Sequence, residues 1–227
     1  MALVHSQVDG RKYYLKLLRR GRTGEVDILS YLATIDSPDN HTVRPIASRV
    51  CERGTLLLLP NAGVPVPDYE DCQTHLVSVA SQFLRGVALL HEHQVAHCDL
   101  KTSNVVVDRS TGRVTLIDFD LAVRGLATLD GFSGTDGWTA PEVGVVARYN
   151  PIQADVWSAG KVLRTVAWKC FGSPDRQFLL DLSGKMMVMD PTARPSMRDV
   201  VEHFDRYVES HGSEFSTATA SNFGLPL

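Results

Sequence analysis

The sequence lacks the main features of membrane, secreted and nucleic-acid-binding proteins. No apolar run approaches the ~20 residues that a membrane helix needs. The first residues contain no basic segment followed by an apolar one, which is the pattern of a secretory signal. The 23 Lys and Arg residues are balanced by 26 Asp and Glu, so no positive excess is available to hold nucleic acid or anionic lipid. These absences predict a cytoplasmic or nuclear protein whose partners include neither nucleic acid nor a membrane.

Cysteines are also few and lack the spacing of metal ligands. Cys51, Cys72, Cys98 and Cys170 form no C-x-x-C pair, which favours reduced thiols in a reducing compartment and predicts no zinc site. The chain has 227 residues, of which 44% are hydrophobic and 22% are charged. Because these fractions are close to those of average soluble proteins, the chain is expected to be globular with a core of its own.

The first part of the chain, up to residue 62, is predicted to be rich in β-structure. Its predicted elements are a hairpin over 1–18 with its turn at Asp9-Gly10, a helix over 23–33 capped by Thr23, and strands over 42–50 and 55–59. The chain then breaks at P-N-A-G over 60–63, where Pro and Gly interrupt regular structure. This break predicts a boundary between two lobes.

The second part of the chain is predicted to be mainly helical. Its predicted elements are a long amphipathic helix over 75–92, a hairpin with strands over 104–108 and 113–119, and helices over 152–169, 176–188 and 196–209. The last helix begins with Ser196 and has Asp199 three residues later, a spacing typical of a capping box. Residues 210–227 are rich in Ser, Thr and Ala and are expected to form a flexible tail.

Several segments of this second part carry defined residue types at defined spacings. In chain order they are H-C-D-L-K-T-S-N at 97–104, D-F-D at 118–120, G-T-D-G-W-T-A-P-E at 134–142, D-V-W-S-A-G at 155–160 and D-P-T-A-R-P-S at 190–196. They resemble the H-x-D-L-K-x-x-N, D-F-G, G-T-x-x-Y-x-A-P-E, D-x-W-S-x-G and D-P-x-x-R-P-S segments of eukaryotic protein kinases. The resemblance extends from about residue 10 to residue 209, with the segments in the same order.

The resemblance implies an α+β, two-lobed protein-kinase-like fold. Residues 1–62 would form a small, β-rich and reduced N-lobe with the hinge, and residues 63–209 a larger, mainly helical C-lobe. The implied function is that of a serine/threonine protein kinase, an enzyme that transfers the γ-phosphate of ATP to a hydroxyl group of a protein substrate. The implied cofactors are ATP and Mg²⁺.

The resemblance also assigns roles to residues of the C-lobe. Asp99 would accept or orient the proton of the substrate hydroxyl. Lys101 would neutralise charge on the moving phosphoryl group, and a lysine here resembles the serine/threonine branch. Asn104 and Asp118 would supply hard oxygen ligands to a Mg²⁺ ion that bridges phosphates, and so belong to the nucleotide site. These types of residue suit phosphoryl transfer, which depends on positioning and on charge neutralisation.

Two residues of the small lobe complete the implied nucleotide site. Lys16 resembles the strand lysine that contacts the α- and β-phosphates, and Glu25 resembles its partner on the following helix. Because only nine residues separate them, Asp27 stays open as an alternative partner.

Other matched residues are expected to be structural. His97 and Phe119 would stack in the hydrophobic column between the lobes, and Asp155 would cap the backbone of the catalytic loop. Glu142 and Arg194 would form a buried ion pair.

The sequence departs from the family pattern around the nucleotide site. No G-x-G-x-x-G precedes Lys16, Tyr14 stands where the family usually has alanine, and Asp120 replaces the glycine of D-F-G. Cys98 replaces the arginine before the catalytic aspartate. These departures keep a pseudokinase open, a binding or scaffold domain with weak or no ATP use. A small-molecule phosphotransferase of related fold is disfavoured, because A-P-E at 140–142 belongs to the protein-substrate side of a kinase.

Overall fold

A four-stranded antiparallel sheet and one helix form the first part of the fold. The computed structural model describes residues 1–7, 10–19, 24–72, 74–125 and 128–211. The first elements are β1 (Ala2–His5), β2 (Lys12–Arg19), α1 (Gly24–Ala33), β3 (Ala47–Cys51) and β4 (Gly54–Pro60), and the strand order is β1-β2-β4-β3. Asp9 of the predicted turn, the predicted Thr23 cap and residues 212–227 of the predicted tail lie outside the described residues.

Strand β2 presents one face to the interior. Side chains alternate between the two faces of a strand, so Tyr14, Lys16 and Leu18 share one face. Lys16 lies opposite Leu57 of β4, which is fully buried, and Leu18 is buried as well. A lysine in the middle of this inward face is therefore held at the boundary between the sheet and the rest of the molecule.

The strand predicted over 42–50 is wrong in its first half, because β3 begins only at Ala47. The backbone N–H of Val43 donates to the carbonyl of Leu116, 2.9 Å away, so this part of the chain is attached to the hairpin of the second lobe. The amide of Asn40 fixes the preceding turn, since it donates to the carbonyls of Leu32 and Ile35 at the end of α1. Long-range contacts thus replace the expected strand pairing.

Helices dominate the second part of the fold. Its elements are β5 (Val64–Pro65), α2 (Leu76–Glu92), β6 (Val95–Ala96), β7 (Val105–Val107), β8 (Val114–Leu116), β9 (Val123–Arg124), α3 (Pro151–Lys169), α4 (Arg176–Met186) and α5 (Met197–His211). Strands β5, β7 and β8 form a small antiparallel sheet, and β6 pairs with β9. The predicted strand over 113–119 ends early, because Asp118 adopts a φ of +65°, which is incompatible with a continuous ladder.

Two helix starts show why these helices begin where they do. The side chain of Asn150 accepts hydrogen bonds from the backbone N–H groups of Ile152 (2.9 Å) and Gln153 (3.4 Å), and proline follows it at the first helical position. At α5, the Ser196 hydroxyl accepts from the N–H of Asp199, while the Asp199 carboxylate accepts from the N–H of Ser196. The predicted capping box is confirmed.

The larger of two hydrophobic clusters among the described residues runs through both parts of the fold. It joins Leu29 and Leu57 of the small lobe to Leu90, Phe119 and Leu163 of the helical lobe. The predicted α+β fold class, with a β-rich part and a larger helical part, is confirmed, whereas the predicted boundary between residues 62 and 63 stays a prediction. Within the described residues, no helix combines the length and the apolar character needed to cross a membrane.

The close packing of α3 on α4 requires a residue without a side chain. A Cβ atom at Gly160 would lie 2.8 Å from Cβ of Met186 and 2.9 Å from Cγ of Met187. This contact is a physical reason for the glycine at the end of D-V-W-S-A-G.

Candidate active site

The loop over 97–104 is held by one buried carboxylate from α3. Asp155 accepts hydrogen bonds from the backbone N–H groups of His97 (2.6 Å) and Cys98 (2.9 Å). Cys98 has a φ of +61°, a conformation that costs free energy for a residue with a side chain and needs support from its surroundings. Asp155 supplies that support, and these two contacts are those expected of a residue that caps the backbone of this loop.

The rings of His97 and Phe119 pack together beneath this loop. Their centroids are 4.7 Å apart, and both residues are fully buried. The Nε2 atom of His97 lies 3.0 Å from the carbonyl oxygen of Ile117. His97 is therefore a packed core residue that joins the loop to the segment after β8 that carries Asp118, rather than an accessible base.

The two predicted catalytic residues lie in one hydrogen-bonded cluster. The ammonium group of Lys101 donates to one carboxylate oxygen of Asp99 at 2.6 Å, and the hydroxyl of Thr135 donates to the other, also at 2.6 Å. Lys101 also donates to the hydroxyl oxygen of Thr135 at 2.8 Å. Both oxygens of Asp99 are thus oriented by side chains from two separate segments of the chain.

Asn104 is bound to the same cluster through its amide nitrogen. This nitrogen donates to the backbone carbonyl of Asp99 at 2.9 Å and to its carboxylate at 3.3 Å. Because the nitrogen makes both contacts, the amide oxygen remains available as an acceptor or a ligand.

Lys16 connects the small lobe to the predicted metal ligand Asp118. Its ammonium group lies 2.8 Å from a carboxylate oxygen of Glu25 and 2.7 Å from Asp118. Glu25 is buried in the first turn of α1, and its carboxylate also accepts from the backbone N–H of Phe119 at 3.2 Å. Asp27, the alternative partner, is exposed on the same helix. The structure therefore pairs Lys16 with Glu25.

The carboxylates around Lys16 outnumber its single positive charge. Asp120 also approaches the ammonium group, at 4.0 Å. Burial lowers the pKa of Lys16, but the hydrogen bonds and charges of Asp118 and Glu25 outweigh it and raise the pKa above its usual value. Burial raises the pKa of Glu25, helped by the charges of Asp118 and Asp120 and opposed by Lys16. This excess of negative charge is of the kind that a divalent cation would balance.

A cavity of about 280 Å³ lies beside these residues, close to the lower limit of the ~300–1,000 Å³ that is typical of ligand sites. Its lining includes the polar side chains of Lys16, Asn104 and Asp118, here called its polar end, and also residues 60–63. A cavity near this size, lined by both apolar and charged residues, suits a small-molecule ligand.

Tyr14 and Val43 belong to the wall of this cavity. Tyr14 lies opposite Leu59 in the ladder of β2 and β4, and both side chains line the cavity. Sequence analysis missed Val43, because it reaches the cavity only through the backbone bond to Leu116, and no local pattern indicates that contact.

Cys98 contributes no charge to this region. Burial, together with the charge of Asp155, raises the pKa of its thiol far above the usual value. The thiol therefore stays neutral at a position where protein kinases usually have an arginine.

A second ion pair anchors the end of the segment over 134–142 to the residues before α5. Both guanidinium nitrogens of Arg194 contact the carboxylate of Glu142, at 2.7 and 2.8 Å. Both residues are buried, and Arg194 also donates to the carbonyls of Gln153 and Val188. Removing one partner would leave an uncompensated buried charge, so this pair is structural.

Comparison with known proteins adds an independent finding. Residues 67–176 match the family model described as the protein kinase domain. The chain is 34% identical over 145 residues to the nitrogen permease reactivator protein of Saccharomyces cerevisiae, a match that covers 59% of this chain and 18% of the relative. It is 29% identical over 199 residues to the serine/threonine-protein kinase WNG1 of Toxoplasma gondii, covering 84% of this chain and 30% of the relative.

A further relative is the mitogen-activated protein kinase pmk-1 of Caenorhabditis elegans. It is 24% identical over 203 residues, and the match covers 66% of this chain and 53% of the relative. The chain thus spans about half the length of this relative and less than a third of the other two.

Proposed function

This chain belongs to the eukaryotic protein kinase superfamily, and we propose that within it the protein is a serine/threonine kinase that phosphorylates a protein hydroxyl. The observation that carries the proposal is the double contact of Lys16 with Glu25 and Asp118. It joins the small lobe to the D-F-D segment at the polar end of the cavity. Asp99 and Lys101 lie in a loop that contacts this segment through the ring of His97, which packs on Phe119. His97 and Asn104 also form hydrogen bonds with the backbone of Ile117, directly before the segment.

Asp99 acts as the group that orients the attacking hydroxyl and receives its proton. Thr135 and Lys101 hold its two carboxylate oxygens, so the side chain is positioned before the substrate binds. The ammonium group of Lys101 is also placed to neutralise charge on the transferred phosphoryl group, because it lies beside the proton acceptor.

The nucleotide site is formed by residues from both lobes. Lys16 binds the α- and β-phosphates of ATP, and its ammonium group is held in position by Glu25. Asn104 and Asp118 would hold Mg²⁺, which when bound would neutralise charge on the phosphates. The base and sugar of ATP would enter the cavity that Tyr14 and residues 60–63 line.

The second candidate function is a pseudokinase scaffold that uses ATP weakly or not at all. Two observations favour it: Tyr14 is part of the cavity wall, and Asp120 adds a third carboxylate near Lys16. A phenol ring at this wall reduces the space for adenine, and the added negative charge repels phosphate.

The kinase proposal is tested by transfer of radiolabelled phosphate from ATP to one acidic and one basic generic protein, with the purified full chain. We expect Mg²⁺-dependent transfer that falls at least about a hundredfold in Asp99→Asn, since a positioned acid–base group contributes roughly 10²–10⁴-fold. Asp36→Asn is the matched control, because Asp36 is exposed. Equal activity in Asp99→Asn and wild type refutes the catalytic role of Asp99. No transfer by any form, together with no nucleotide binding by calorimetry, favours the scaffold.

A further inference from the structure

A lysine on α3 contacts the outer side of the segment over 134–142. The ammonium group of Lys161 donates to the backbone carbonyl of Gly137. It also lies over two indole rings, 5.4 Å from the centroid of Trp157 and 5.8 Å from that of Trp138. Trp157 precedes Lys161 by one helical turn, whereas Trp138 belongs to the facing segment. The cation is therefore held at a defined place on this surface.

The charge of Lys161 is not balanced by a carboxylate. In the described parts of the chain it forms no ion pair, although exposed Asp136 directly precedes Gly137. Lys101, in contrast, is paired with Asp99. An ammonium group has three donors, and the carbonyl of Gly137 uses one of them. Two donors and a full positive charge are left for a ligand.

Short contacts connect Lys161 to the catalytic cluster. The Thr135 hydroxyl donates to Asp99, and the Thr135 carbonyl accepts from the backbone N–H of Trp138 at 2.9 Å. Thr135 and Gly137 are two residues apart, so the ammonium group lies within roughly 15 Å of Asp99, since consecutive Cα atoms are about 3.8 Å apart. An extended peptide that rises about 3.3 Å per residue covers that distance within roughly five residues.

We propose that Lys161 is a specificity-determining residue and that the substrates are hydroxyl-containing segments with an Asp or Glu side chain within about five residues of the phosphorylated position. The proposal rests on the kinase function proposed above. The substrate carboxylate binds the two free donors of Lys161, and the rings of Trp138 and Trp157 beside the ammonium group limit its positions. An acidic residue there is attracted, and a basic residue there is repelled.

The alternative is that Lys161 only stabilises the segment over 134–142. That role would change the rates for all substrates by the same factor, whereas a specificity role changes their ratio. The test therefore compares two serine peptides that are identical except for Glu or Lys four residues from the serine. For wild type we expect kcat/KM for the Glu peptide to exceed that for the Lys peptide roughly fivefold, which is the size of effect that one exposed charge contact gives. The difference should lie mainly in KM, because the contact is made on binding.

Variants at this position separate charge from packing. Lys161→Met retains the apolar stem, and we expect it to bring the ratio of the two kcat/KM values close to one. Lys161→Glu is expected to invert this ratio, whereas Lys161→Arg is expected to retain it. Lys185→Met is the control, because Lys185 is exposed on α4 and contacts His203. The preference should also decrease at high salt, which screens exposed charges. An unchanged ratio in Lys161→Glu overturns the proposal.

A binding measurement keeps this test separate from the test of catalysis. Fluorescent peptides with alanine in place of the serine are titrated with the full chain and followed by anisotropy. If wild type prefers the Glu peptide and Lys161→Glu prefers the Lys peptide, the specificity proposal holds even if no phosphate is transferred. Equal affinities for both peptides in wild type overturn it, even if the chain is an active kinase.

Discussion

The ammonium group of Lys16 lies 2.7 Å from a carboxylate oxygen of Asp118, although 102 residues separate the two in the sequence. Lys16 stands on the inward face of β2, and Asp118 follows the last strand of the hairpin β7–β8. The contact holds the two lobes together at the polar end of the cavity. If Lys16 binds the nucleotide as proposed, the stability of this arrangement and nucleotide binding are coupled through this residue.

Glu25→Gln is expected to reduce phosphate transfer at least about tenfold while Asp27→Asn changes it less than about twofold. Both substitutions remove one negative charge from α1, but Glu25 is buried against Lys16 and Asp27 is exposed. The glutamine retains an acceptor for the N–H of Phe119, so the fold should survive. Transfer rates and circular dichroism of both variants check this. Similar losses in the two would show that the charge of the helix matters rather than the pairing.

The stabilisation that Lys16 contributes should be lost at alkaline pH. The pKa of Lys16 is raised above 10.5 in the folded protein. Its contribution is therefore fully present below the unfolded value and is lost as pH rises through the folded one. The difference in thermal stability between wild type and Lys16→Met, measured from pH 8 to pH 12, should shrink above about pH 10.5. A constant difference over this range would contradict the ion pairing of Lys16.

Two aspartates of the site should respond differently to nucleotide. Asp118→Ala is expected to abolish the rise in melting temperature caused by ATP and Mg²⁺, because Asp118 is the proposed metal ligand. Asp155→Ala should lower the melting temperature with or without nucleotide, since it leaves the buried N–H groups of His97 and Cys98 without their acceptor, at about 1–3 kcal/mol each. Thermal scans with and without ATP·Mg²⁺ check both. Identical behaviour of the two variants would refute the assignment of Asp118 as ligand.

Tyr14→Ala is expected to tighten ATP binding and to lower stability. The ring forms part of the cavity wall and packs against the core. Its removal therefore enlarges the space for adenine but loses buried apolar contacts. Calorimetric titration of ATP·Mg²⁺ into wild type and variant checks the first effect, and thermal unfolding checks the second. Weaker binding by the variant would mean that the ring stacks on adenine instead of restricting it.

Sequence analysis predicted the elements of the helical lobe well and those of the small lobe less well. Helix α2 was expected over 75–92 and runs from Leu76 to Glu92, because its apolar positions repeat with the helical period over many residues. The segment over 42–50, which was expected to form a strand, has no comparable repeat of apolar positions. Its first residues attach to Leu116 of the other lobe, a contact that local propensity does not encode.

The relative positions of Asp99, Lys101 and Asn104 were determined by the sequence itself, because they share one short loop and their spacing sets their contacts. The tertiary structure alone decided that Glu25 rather than Asp27 meets Lys16, since the choice depends on which side of α1 faces β2 and the D-F-D segment. It also decided that Lys161 lies between Trp138 and Trp157. One of those rings comes from α3 and the other from a separate segment, so only the packing of the two can place them around one cation.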